Sequence, residues 1–180
     1  MLNLDTLNHI LDTVDHLNQI FQIEEYPIYT KNIIKTFFKD NCILGCMPMS
    51  NKTDAVTEYD PDNGIYVIVV NKNKTDKSML KRLNFTLAHE LGHIVLKHEP
   101  YFRDARNLSP EQLQQFEDEA DEFAGQFLMP EDIVNCFPKV SIMRDRFFVS
   151  TAAAEKRLQV IRNRQYLTSL RLRNVDGCFT

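Results

Sequence analysis

No apolar run in this 180-residue chain approaches the ~20 residues that a membrane-spanning helix needs; the longest, residues 65–70, falls far short. The N-terminus, Met1-Leu2-Asn3-Leu4-Asp5, has no basic region ahead of an apolar stretch, so no secretory signal is expected. Cysteine is scarce: the four residues Cys42, Cys46, Cys136 and Cys178 match the spacing of no small disulfide scaffold. Internal repeats and low-complexity segments are missing too. These absences predict a reduced, cytoplasmic protein without a membrane role. With 43% hydrophobic and 26% charged residues the chain is not disordered, and its length suits one domain with a full core rather than two.

What is present is arranged unevenly. Beneath a formal net charge of −4, residues 139–173 carry nine Lys or Arg against two acids, while residues 111–132 carry eight carboxylates and no Lys or Arg. Leu4, Leu7, Ile10 or Leu11, Val14, Leu17 and Phe21 recur three or four apart, which predicts an amphipathic first helix. Residues 30–39 predict a second, with Ile33, Ile34, Phe37 and Phe38 inward. Short strands are predicted at 42–47, 54–59 and 64–71, the last two joined by the turn Asp60-Pro61-Asp62-Asn63-Gly64. A long helix should begin with Asp76 as N-cap and run to about residue 97, burying Leu80, Leu83, Leu87, Leu91 and Ile94. Ser109-Pro110-Glu111-Gln112 is a helix start, with Ser as N-cap, Pro in the first helical position and Gln closing a capping box. That helix should reach Leu128, with three shorter helical pieces after Met129-Pro130. Residues 1–137 are expected to form the main unit and 138–180 a basic helical segment packed on it.

The long helix contains His89-Glu90-Leu91-Gly92-His93. Histidines at i and i+4 lie one turn apart on one face, so their imidazoles can converge on one ion, and Glu90 can reach a water on it. Three protein ligands plus water is a catalytic arrangement for zinc. At these His and Glu frequencies a chance match has a probability of roughly one in a hundred. The alternative is two partly exposed histidines on a solvated face.

A third ligand has to come from elsewhere. A histidine six residues past the second, with Gly at the third position, is excluded, because those places hold Glu99 and Leu96; His98 is one residue out of register. Residues 117–122 offer five carboxylates. On a wheel advancing ~100° per residue from Phe116, Ala120, Phe123, Ala124 and Phe127 define the apolar arc. Glu117 falls within that arc near ~100°, between Ala124 and Leu128, and Asp121 on the same flank near ~140°, while Asp118 and Glu122 point to the opposite side and Glu119 to the other edge. A carboxylate among inward residues is costly unless paired or metal-bound, which selects Glu117 as third ligand. Asp121 is then placed to accept the second ring N–H of a ligating histidine. Asp118 and Glu122 are expected on a solvated face.

Asn84-Phe85-Thr86-Leu87-Ala88-His89-Glu90-Leu91-Gly92-His93, followed by Glu117-Asp118-Glu119-Ala120-Asp121-Glu122-Phe123-Ala124 and Phe127-Leu128-Met129-Pro130, resembles the ImmA/IrrE family of metallopeptidases over about residues 30–165. The resemblance implies an α+β, zincin-like fold: a small antiparallel sheet on the active-site helix, a second ligand-bearing helix and a helical C-terminal part. It implies zinc held by His89, His93 and Glu117, with Glu90 as catalytic base. It further implies a zinc-dependent endopeptidase acting on an intracellular regulatory protein, in particular a helix-turn-helix (XRE-type) repressor. The likeness is to the stand-alone type, without a DNA-binding domain of its own. A non-proteolytic anti-repressor with a structural zinc site is the competing reading, although such a site has no need of Glu90.

Other features read more plainly. An extended substrate could add as a strand to the edge of the sheet containing Tyr66 to Val70, unless that strand is buried on both faces. Tyr66 and Tyr101 are candidate oxyanion donors. Cys42 and Cys46 read as small packing residues, Gly92 as a site of close helix approach, and His9 and His16 as surface residues. Residues 150–158 resemble a short turn-helix, but the overall acidity argues against direct nucleic-acid binding. The basic tail reads instead as a docking surface, side chains outward, for an acidic protein partner.

Overall fold

The structure is a computed structural model that describes residues 2–98, 102 and 107–176. Helix α1 (Leu4–Phe21) starts where the Asn3 side chain accepts the Thr6 N–H at 2.8 Å, and it buries Ile10, Val14, Leu17 and Phe21. Helix α2 (Thr30–Phe37) buries Ile34 but leaves Phe37 exposed, so its inward face is narrower than the sequence suggests. Strands β1 (Cys42–Met47), β2 (Ala55–Asp60) and β3 (Ile65–Asn71) follow, then α3 (Leu80–Val95) and α4 (Pro110–Leu128). The chain ends in α5 (Glu131–Cys136), α6 (Val140–Arg146) and α7 (Thr151–Asp176).

The fold is α+β as expected, but the sheet is mixed rather than antiparallel throughout. β3 lies in the middle, parallel to β1 (Cys42 opposite Tyr66) and antiparallel to β2 (Thr57 opposite Ile68). The β2–β3 hairpin closes on Asp60, whose carboxylate accepts the N–H groups of Asp62 and Asn63, and Gly64 takes φ 68°. The loop from β1 to β2 must cross the end of β3. Fully buried Asn71 pins it there, donating to the carbonyls of Ser50 (2.9 Å) and Thr53 (2.8 Å) and accepting from the Met49 N–H (3.1 Å). Because β3 is central, the open edges among the described residues belong to β1 and β2, and an added strand would pair there rather than with Tyr66 to Val70. Nor is β3 buried on both faces. Ile68 and Val70 pack with Cys42, Ile34, Leu87 and Ile94, whereas Ile43 and Val56 leave the opposite face of the sheet exposed.

α3 begins later than the Asp76 cap predicted. The Asp76 carboxylate instead accepts from Ser78 and Met79 in a turn before the helix. α4 carries the capping box between Ser109 and Gln112. The two helices meet at Gly92, where an added Cβ would come within 2.9 Å of Phe123 and 3.3 Å of the Ala120 backbone. The main core joins α1, α3, α4 and the C-terminal helices through Ile10, Leu91, Phe123, Phe127, Phe147 and Leu158. The last of the three helical pieces is not short: α7 spans 26 residues.

Candidate metal centre

His89 and His93 project from one face of α3, and Glu117 reaches them from the first half of α4. The His89 and His93 Nε2 atoms are 3.2 Å apart. Glu117 Oε2 lies 3.3 Å from His89 Nε2, and Oε1 lies 3.7 Å from His93 Nε2. In a tetrahedral site with bonds of about 2.0–2.2 Å, neighbouring ligand atoms are about 3.3–3.6 Å apart. The three side chains therefore fit a zinc-sized ion and could hold a metal. His93 is buried, but the Glu117 side chain is 40% exposed. It sits on the rim of the site rather than among the inward residues where the wheel placed it, and the metal position opens to solvent on that side.

The other ring nitrogens are engaged. His89 Nδ1 is 3.0 Å from Asp121 Oδ1, and Asp121 Oδ2 is bonded by Lys156 of α7. His93 Nδ1 is 2.9 Å from His98 Nδ1, whose ring passes the contact on to Glu119 Oε2 at 3.1 Å. Burial opposes a charge on His89, but the Asp121 and Glu117 carboxylates outweigh it and raise its pKa to about 9. Burial and the neighbouring His89 and His98 push His93 the other way, to about 3. Without metal, the pair thus holds a proton on His89 and keeps His93 neutral.

Glu90 stands beside the pair, with the Thr57 hydroxyl of edge strand β2 donating to its Oε2 at 2.6 Å. Burial raises its pKa, with Thr57 and His89 acting against that shift. Of the candidate oxyanion donors, Tyr66 packs its ring on Tyr59 (4.7 Å) and Phe102 (5.6 Å); Tyr101 lies outside the described residues. His9 and His16 are exposed, Cys42 is buried and Cys46 exposed.

Two expectations about charge need correction. Glu122 is not on a solvated face: it is 8% exposed and meets Arg157, itself 3% exposed, at 3.0 Å, with Arg164 also at 3.0 Å. The basic segment is accordingly not turned wholly outward. Lys156, Arg157 and Arg164 engage Asp121, Glu122 and Glu131 of the same chain. Sequence reasoning missed Thr57, His98, Glu119 and Lys156 as neighbours of the site. In the sequence His98 and Glu119 stand out only as potential metal ligands, and nothing local to Thr57 or Lys156 marks them.

The fold and this constellation define a zincin-like, metallopeptidase-type domain. Residues 41–159 match peptidase family M78, described as the IrrE N-terminal-like domain, and the chain belongs to that family. Comparison with curated proteins gives no significant match. Among solved structures, a Mycobacterium tuberculosis transcriptional regulator is similar in fold, with a TM-score of 0.53 and 18% identity; the match covers 83% of this chain but only 56% of that one. No helix among the described residues is long and apolar enough to cross a membrane.

Proposed function

We propose that the protein is a zinc-dependent endopeptidase that hydrolyses a peptide bond in a cytoplasmic regulatory protein, with a helix-turn-helix repressor as substrate. The observation that carries this reading is the convergence of His89, His93 and Glu117 beside a half-buried Glu90 that Thr57 holds in place. Zinc held by these three residues would lower the pKa of a water toward ~7 and polarise the scissile carbonyl. Glu90 then has the work of a general base: it takes a proton from the attacking water and passes it to the leaving amine as the C–N bond breaks. Its raised pKa, caused by burial, brings it closer to the range in which a carboxylate can both accept and return a proton. Asp121 orients the His89 ring. Strand β2 is the edge that carries Thr57, so an extended substrate segment pairing along it would pass next to Glu90. Of the basic segment 138–180, residues up to 176 serve in this reading as a helical brace for the peptidase unit, and 177–180 lie outside the described residues.

The test is co-expression with a candidate helix-turn-helix repressor from the same genome, comparing wild type with Glu90→Gln and measuring bound zinc in both. Wild type should yield a shortened repressor and Glu90→Gln should not, while zinc stays bound. A fragment that survives Glu90→Gln removes the general-base role. Relief of repression with no fragment would favour the non-proteolytic regulator. Glu117→Ala should lose zinc far more readily than Glu119→Ala.

A further inference from the structure

The end of α3 brings a third histidine to the metal site in an unusual way. Lys97 takes φ 60° after the helix ends, a left-handed conformation that usually favours glycine. The chain folds back, the His98 N–H bonds the His93 carbonyl at 3.0 Å, and the Lys97 N–H bonds that of Ile94 at 3.2 Å. This pairing sets the His98 ring against the His93 ring. There it is 2% exposed, tilted by 37° against Phe116 with ring centroids 4.5 Å apart, and faced by Glu119. Glu119 is held in turn by Gln115, whose side-chain amide donates to Oε1 at 2.8 Å.

A neutral imidazole has one donor and one acceptor nitrogen. If His93 turns the lone pair of Nε2 to a metal, its proton is on Nδ1, and the atom 2.9 Å away, His98 Nδ1, must accept it. His98 then carries its own proton on Nε2, 3.1 Å from the Glu119 carboxylate. Only one proton placement satisfies every contact in the series. We propose that His98 and Glu119 are positioning residues of the metal site, forming a carboxylate–histidine–histidine series that fixes the tautomer of His93 and increases its basicity as a ligand. The proposal rests on the metal-site reading above. It gives the two ligating histidines unequal supports: Asp121 backs His89 directly, whereas Glu119 backs His93 through a second ring.

The experiment measures zinc affinity by chelator competition in the full chain, for wild type, His98→Phe, His98→Asn and Glu119→Leu, with thermal unfolding of each as a check on folding. His98→Phe keeps the ring on Phe116 but removes the acceptor, and should weaken zinc binding by about 10- to 100-fold. His98→Asn returns an acceptor oxygen near the place of Nδ1 and should recover part of that loss; Glu119→Leu should fall between wild type and His98→Phe. A long-range 1H–15N spectrum of the zinc-loaded wild type, which requires no variant to fold, should show the His98 proton on Nε2 and the His93 proton on Nδ1. Zinc affinity in folded His98→Phe within about twofold of wild type, or a His98 proton on Nδ1, overturns the proposal. Cleavage plays no part in these readouts. A wild type that binds zinc through this series yet cuts nothing would remove the peptidase reading and leave the positioning role standing. A wild type that binds no zinc would remove both.

Discussion

The metal-free pair of histidines is a proton site as much as a metal site. His89 holds its proton up to about pH 9, because Asp121 and Glu117 outweigh the effect of burial. A cation must displace that proton, since a ligating nitrogen needs its lone pair. Zinc affinity should therefore climb with pH below about 9 and level off above it, with about one proton released per zinc bound near pH 7. Calorimetry in buffers of different ionisation enthalpy counts the released protons. Affinity independent of pH between about pH 6 and 8 would show that His89 is neutral before metal arrives. The same residue pair explains why the site was legible at all. Two histidines one turn apart converge by helix geometry alone, and Glu90 lies next to the first in sequence. His98 was not legible in the same way: its approach depends on a left-handed Lys97, where no glycine advertises the turn.

Between elements, the decisive contact is that of α3 with α4, since it sets the distance from Glu117 to the histidines. Gly92 occupies the crossing, and a Cβ there would press on Phe123 and on the Ala120 backbone, which cannot rotate away. Gly92→Ala gains helix propensity of up to about 1 kcal/mol, but forced overpacking typically costs 1–3 kcal/mol. The expected outcome is a lower midpoint in urea unfolding together with weaker zinc binding, because the helices must part where the ligands meet. Unchanged zinc affinity would mean that Glu117 follows the shift. The helices themselves were readable from apolar spacing and from the Ser109 capping box, both local features. The β2–β3 hairpin was readable too, from its Asp60-to-Gly64 turn, but the pairing of β1 was not. β1 joins β3 in parallel across an intervening strand, and the crossing loop is fixed by the side chain of Asn71, a long-range arrangement with no periodic trace.

At the scale of the whole molecule, the acidic and basic stretches that divide the sequence answer each other in space. A helical wheel could place Glu122 opposite the face of α4 that meets α3, but it could not show that α7 covers this second side. Gly125 leaves room for the Arg157 stem there, 3.3 Å from where a Cβ would stand. Arg157 donates to the Met129 carbonyl, Glu122 and Gln126, and Arg164 bridges Glu122 to Glu131. Lys156, one residue earlier on α7, reaches Asp121 and so touches the support of His89. Glu122 is thus the anion between two guanidinium groups, one of them buried. Removing it by Glu122→Ala leaves Arg157 dehydrated and opposed by Arg164, and breaking such a buried pair typically costs about 3–5 kcal/mol. Urea unfolding should show a loss of that size, against less than about 0.5 kcal/mol for Asp118→Ala, which lies outside this network. Replacing the pair together, as Glu122→Leu with Arg157→Met, should recover part of the loss, since the cost comes from the stranded charge more than from the missing bond. A double variant as unstable as Glu122→Ala would instead place the contribution of Arg157 in its bond to the Met129 carbonyl, and the link between α4 and α7 would depend on backbone capture rather than on charge.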